Sequence, residues 1–236
     1  MKSDWVAKSA AAGFVAGVVA GMALTGTPTR AEGIGTAISI DPFVVSSRGP
    51  GHRREIAPGD TINAGELFKT GPEGAVEMEF LDETTLRLGP DSELVLDSFV
   101  FDPAAAGGDF AVTLAVGALR LVSGNMQDED YQVQSSIATI GIRGTDFTVL
   151  VAVDQTTDVI VHDGLVEVAP IDGGPPVLVS AGQRGSVSPT TGLATVTQED
   201  AAIEPDEDEP ASGLSGFWRE ATRLIGEWFS WALRED

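Results

Sequence analysis

The chain contains no cysteine. That removes disulfides, thiolate metal sites and cysteine nucleophiles together, and several enzyme classes with them. It leaves the compartment open, because an exported protein either uses disulfides or avoids thiols. Histidine is nearly as scarce, with His52 and His162 the only two, so general acid–base chemistry has little to draw on. His162 adjoins an Asp-Gly turn signal and reads as a strand residue rather than a base. Basic side chains are also few: 14 Lys and Arg stand against 36 Asp and Glu, a formal net charge of -22. Repulsion of that size opposes contact of the folded body with nucleic acid or an anionic membrane. Nucleic acid is therefore excluded as a partner class.

What is present begins with an export signal. Lys2 and Lys8 precede an Ala/Gly/Val-rich run over residues 10–24, followed by small residues at Thr29 and Ala31, which predicts cleavage after Ala31. A spanning helix needs about 20 apolar residues, so a removed signal is expected over residues 1–31, with a retained anchor as the alternative. Localisation follows as periplasmic or cell-envelope, with membrane association open.

With 42% hydrophobic residues in 236, the chain can bury one substantial core. From residue 34 to residue 189, short apolar runs alternate with Gly, Pro, Asp and Asn clusters, and no window sustains an amphipathic helix. Residues 75–80 put Val76, Met78 and Phe80 on one face and Glu77 and Glu79 on the other, the pattern of a half-buried antiparallel strand. Further strands are predicted at 85–88, 92–99, 110–122 (with Gly117 as a bulge or bend), 177–180 and 184–187. Asp163-Gly164 between two apolar runs predicts a two-residue type I′ hairpin. With no crossover helices, a doubly wound parallel sheet is excluded. The expected fold class is all-β, a solenoid-like or sandwich-like stack of short strands, with one C-terminal amphipathic helix.

The stretch over residues 131–149 reads as two short strands joined through a tight Gly-Ile-Arg-Gly-Thr centre. Its glycines mark a bulge or a close backbone approach. Arg143 between them, with Asp146 just beyond, anchors a turn through a carboxylate or carbonyl partner, or else contacts a ligand.

Past the β-domain, residues 190–212 form a Thr-rich and then acidic linker expected to be extended. Residues 213–235 place Leu214, Phe217, Trp218, Ala221, Leu224, Ile225, Trp228 and Phe229 at three- and four-residue spacing, which predicts an amphipathic helix. Trp218, Trp228 and Trp231 lie here. Three roles fit it: docking on its own domain, contact with a membrane surface, or binding a partner or a second copy.

In sequence order, Gly59-Asp60 with Gly65-Glu66, Lys69-Thr-Gly71, Glu77-Met-Glu-Phe-Leu-Asp82, the segment from Arg87 to Leu94, Gly117-Ala-Leu-Arg120, Ile142-Arg-Gly-Thr-Asp-Phe147, His162-Asp-Gly164 and Ala181-Gly-Gln183 resemble the FecR domain family over roughly residues 56–188. The resemblance implies an extracytoplasmic all-β domain without catalytic machinery. In the regulators that name the family, the domain relays the state of an outer-membrane iron transporter to a sigma factor. Here only about nine residues precede the apolar run, too few for the sigma-binding domain of those regulators, so a stand-alone exported version is expected. The acidic loop at residues 128–130 lacks the EF-hand ligand spacing, and no metal, cofactor or catalytic residue is assigned. The candidate structural or partner-contact residues are Arg143, Asp146, Trp218, Trp228 and Trp231. The expected function is binding of an unidentified envelope protein or ligand, in signalling or assembly. Iron-responsive sigma-factor signalling and a polysaccharide hydrolase remain as alternatives, the latter because carboxylate separation is a property of the fold.

Overall fold

The structure, a computed structural model, describes residues 33–42, 44–105, 107–127 and 130–198, with the side chain of Arg143 outside that description. The signal segment, the acidic run and the C-terminal amphipathic stretch with Trp218, Trp228 and Trp231 lie outside the described residues. Among the described residues fifteen strands follow one another: β1 (Gly35–Asp41), β2 (Val44–Ser47), β3 (Arg53–Glu55), β4 (Thr61–Ile62), β5 (Leu67–Thr70), β6 (Ala75–Phe80), β7 (Thr85–Leu88), β8 (Glu93–Asp102), β9 (Gly107–Val122), β10 (Tyr131–Gln134), β11 (Ala138–Val151), β12 (Thr157–Pro170), β13 (Val177–Ser180), β14 (Gln183–Val187) and β15 (Ala194–Gln198). All belong to one sheet.

Three long strands fold that sheet over on itself. The early half of β9 pairs with β8 and with β10, whereas its late half pairs with β7 and β11. The early half of β11 pairs with β10 and the late half of β12; the late half of β11 pairs with β9 and the early half of β12. One layer therefore runs β3-β2-β5-β8-β9-β10-β11-β12-β13 and the other β4-β1-β6-β7-β9-β11-β12-β14-β15, sharing β9, β11 and β12. A solenoid stacks parallel strands, but β9–β10 is the only parallel pair among the described strands, so the sandwich-like form of the expected all-β fold is the one that fits.

Each shared strand changes layers at a glycine, where the inward-facing parity reverses. On β9, Phe110, Val112 and Leu114 face in before Gly117, and Leu119 and Leu121 face in after it. Gly117 has φ +104°, and Ser92 fills the space a β-carbon would need while its Oγ accepts the Ala118 N–H at 3.0 Å. On β11, Ile140 and Ile142 face in before Gly144; Phe147 and Val149 do after it. On β12 the change falls at Gly164, between Val161 and Val166. Without the extra residue, the strand would turn its apolar set to solvent in one of the two layers.

Two expectations are corrected here. Asp163-Gly164 is not a hairpin: β12 runs through it unbroken, and Gly164 (φ +86°) sits against the Gly144 carbonyl at the paired bend of β11. Asp-Gly signals a positive φ, which serves a bulge as well as a type I′ turn, and here the opposed bulge decides. Likewise Gly-Ile-Arg-Gly-Thr does not join two strands. Residues 135–137 make that connection, and the segment is the bulge inside β11, with register breaks between Arg143 and Asp146. The sheet also continues to Gln198, since β15 pairs with β14 inside the stretch expected to be linker.

The inner faces form one continuous apolar cluster. Phe80 of one layer meets Phe110 of the other edge-on at 5.0 Å between centroids and stacks on Phe99 at 5.5 Å, contacts that add to simple area burial. Tyr131, 2% exposed, closes one end of the core. Its hydroxyl donates to Asp82 Oδ2 at 2.7 Å and accepts the Met126 N–H at 3.1 Å, while Thr84 Oγ1 donates to the same carboxylate at 2.6 Å. This knot ties the β6–β7 turn to the β9–β10 connection.

Candidate functional site

In the second layer, the residues between the core positions face outward. In antiparallel pairing, directly opposed residues share a face, so the register defines a row: Glu77 on β6, Arg87 on β7, Arg120 on β9, Thr148 on β11, Ile160 on β12 and Arg184 on β14. Asp146 and His162 flank the row on one side; Ala118, Leu150 and Asp158 flank it on the other.

Side-chain geometry agrees with this grid. Arg120 donates from Nε to Asp146 Oδ1 at 2.9 Å and from Nη2 to Oδ2 at 2.7 Å, a two-bond fork that fixes both groups. Arg87 Nη2 donates to Glu77 Oε1 at 3.3 Å, Arg184 Nη1 lies 3.9 Å from Asp158 Oδ2, and Thr148 Oγ1 lies 2.9 Å from His162 Nε2. None of Arg120, Asp158, His162 and Arg184 is a free charge.

The centre of this outward face is dry. Ile160 is 3% exposed and Thr148 5%, yet Ile160 is not part of the core cluster that holds its neighbours Val159 and Val161. With buried Ala118, it makes an apolar centre bordered by three arginine–carboxylate pairs, and Val122 stands 41% exposed at one edge. An apolar centre with a charged rim is the anatomy of an interface. Its carboxylates Glu77, Asp146 and Asp158 are each held by an arginine. That differs from glycoside chemistry, where a desolvated acid and a second carboxylate flank one cleft.

Of the residues singled out by sequence, Asp146 is in this site and Arg143 is not shown to be. The Arg143 backbone lies at the β11 bulge opposite Leu165, and its side chain is outside the described residues. Sequence reasoning missed Arg120, Arg87, Arg184 and Thr148 as a group. The usable signal was that Arg87, Arg120, Asp146 and His162 each belong to a separate motif; register brings all four to one face.

Two other polar clusters are structural. Glu66, fully buried, accepts from Asn63 Nδ2 at 3.2 Å and pairs with Arg48 and Arg54, fixing the β2–β3 hairpin. Asp130 Oδ2 accepts the Gly108 N–H at 2.7 Å. Among the described residues no three His, Asp or Glu side chains are grouped to hold a metal ion, and no helix is long and apolar enough to cross a membrane.

Residues 66–167 match the family model described as FecR protein. Two crystal structures of a proposed anti-sigma factor from Parabacteroides distasonis are similar, each at 19% identity, with TM-scores of 0.47 and 0.46; the match covers 57% of this chain and 60% of theirs. The chain thus spans under two thirds of the length of those structures. No curated protein matches the chain.

Proposed function

We propose, on the premise that residues 66–167 form a FecR-family domain, that this is an exported cell-envelope protein whose β-sandwich binds a protein partner without catalysing a reaction. The outward face of the β7-β9-β11-β12-β14 layer is the binding surface. The observation that carries this reading is the buried Ile160 on the side of the sheet away from the core. Rigid strands, each pinned on both sides, hold the three arginine–carboxylate pairs in fixed positions, which suits recognition of a preformed surface. The carboxylates are committed to arginines, which favours binding over hydrolysis. Export follows from the N-terminal segment, and a role in envelope signalling or assembly follows from the family.

The test is crosslinking in the native envelope followed by identification of the captured proteins, comparing the natural chain with Val122→Asp. The edge of the face then carries a charge while the core is untouched. Loss of a captured protein in the variant supports the reading; an unchanged capture pattern moves the binding surface elsewhere.

A further inference from the structure

We infer that the outward face is occupied in cis by the chain's own C-terminal amphipathic segment, residues 214–232, so that partner binding competes with an intramolecular ligand. The inference rests on that face being the binding surface.

Position comes first. The chain leaves the sheet at Gln198, at the end of β15, and Thr197 pairs with Arg184 in the same row that crosses Ile160. The 38 residues from 199 to 236 (236 − 198) follow that point. A coil of about 15 residues spans roughly 20 Å on average, and the row from β15 back to β9 is four strand spacings, about 19 Å. The segment is therefore tethered at high local concentration within reach of this face.

Chemistry agrees with position. The face offers half-buried Leu150 and Val122, 41% exposed, bordering buried Ile160 and Ala118, with the Arg120 guanidinium fixed by its two-bond fork to Asp146. The segment offers an apolar stripe with Trp218 and Trp228, and an indole face takes both aliphatic contact and a stacked guanidinium. As a helix, ten residues from Trp218 to Trp228 cover about 15 Å, close to the separation of Arg120 and Arg184 across three strand spacings. A membrane surface is the poorer occupant, because the chain's net charge of -22 opposes anionic lipid.

The sequence supplies a direct probe: its four tryptophans, Trp5, Trp218, Trp228 and Trp231, all lie outside the described β-domain. In a Trp5→Phe background, emission reports the segment alone. Val122→Asp and Leu150→Asp, both on the outward face, are expected to shift the emission to the red and raise acrylamide quenching several-fold, independent of protein concentration. The control Leu178→Asp, exposed on the other layer, should change neither. Thermal melting of each variant shows that the sandwich is intact; if Leu150→Asp unfolds, Val122→Asp, at an exposed position, carries the test. Unchanged emission in folded face variants overturns the inference, and so does a red shift that appears only on dilution, which assigns the face to a second copy. Partner capture that still depends on Val122 while the tryptophans do not respond leaves the binding surface in place and removes only the cis ligand.

Discussion

Arg120 on β9 and Asp146 on β11 are joined by two parallel hydrogen bonds, at 2.9 and 2.7 Å, across strands that are themselves paired. The pair sits about one quarter exposed, at 25% and 23%. It is therefore screened less than a surface ion pair but not isolated from water. Fork geometry and partial burial place its coupling near the top of the range for exposed pairs, about 1 kcal/mol. A double-mutant cycle with Arg120→Met and Asp146→Asn, read by denaturant melts, should return that coupling. Near-zero coupling would mean the fork is held by its neighbours rather than by its own bonds.

The Tyr131 hydroxyl is pushed up to about 12 by burial, and by its hydrogen bond to the Asp82 carboxylate. Its folded value lies above the ordinary 10.0. The stabilisation is thus fully present below that ordinary value and is lost as pH rises through the folded one. Tyr131 is the only tyrosine, so tyrosinate absorbance follows it alone. Ionisation should coincide with alkaline unfolding; a tyrosinate signal at the ordinary value in a folded protein would contradict the buried knot.

Tyr131→Phe keeps the ring among the core aromatics but removes the donor to Asp82 and the acceptor for the Met126 N–H. Leaving that amide unsatisfied should cost about 1–3 kcal/mol, measured as a shift of the denaturation midpoint.

The paired bend supplies a comparison between two glycines. Gly164 (φ +86°) faces the Gly144 carbonyl, whereas Gly182 (φ +74°) has open space where a β-carbon would go. Both alanine variants meet the cost of a left-handed backbone, about 1 kcal/mol. Gly164→Ala must in addition displace the opposing strand and should be clearly the more destabilising on thermal melting. Equal losses would mean that the β11 bulge adapts freely.

Much of the sheet was legible from alternation alone. β6, β7 and β13 lie where the apolar parity and the flanking Gly, Pro and Asp place them, because those strands are short and stay in one layer. The bend of β9 at Gly117 lies where its sequence places it, whereas β11 and β12 were misread at their midpoints. Gly144 and Gly164 carry the same local signal whether they end a strand or bend it, and only the opposite strand, far along the chain, decides. For the same reason Asp146 was visible as a candidate while Arg120 was not tied to it. Alternation gives the face of each residue, but their adjacency is fixed by the β9–β11 register. Ile160 was indistinguishable in sequence from Val159 and Val161, since an unbroken apolar run does not say which member points away from the core.

Partner binding by the outward face around Ile160 is tested by a photo-crosslinking residue placed in turn at Val122 and at Leu178. These positions are 41% and 55% exposed on different layers. With Trp218→Ala and Trp228→Ala introduced to free the face, a discrete adduct with an envelope protein is expected from Val122 and none from Leu178. An adduct from Leu178 with none from Val122 would contradict it.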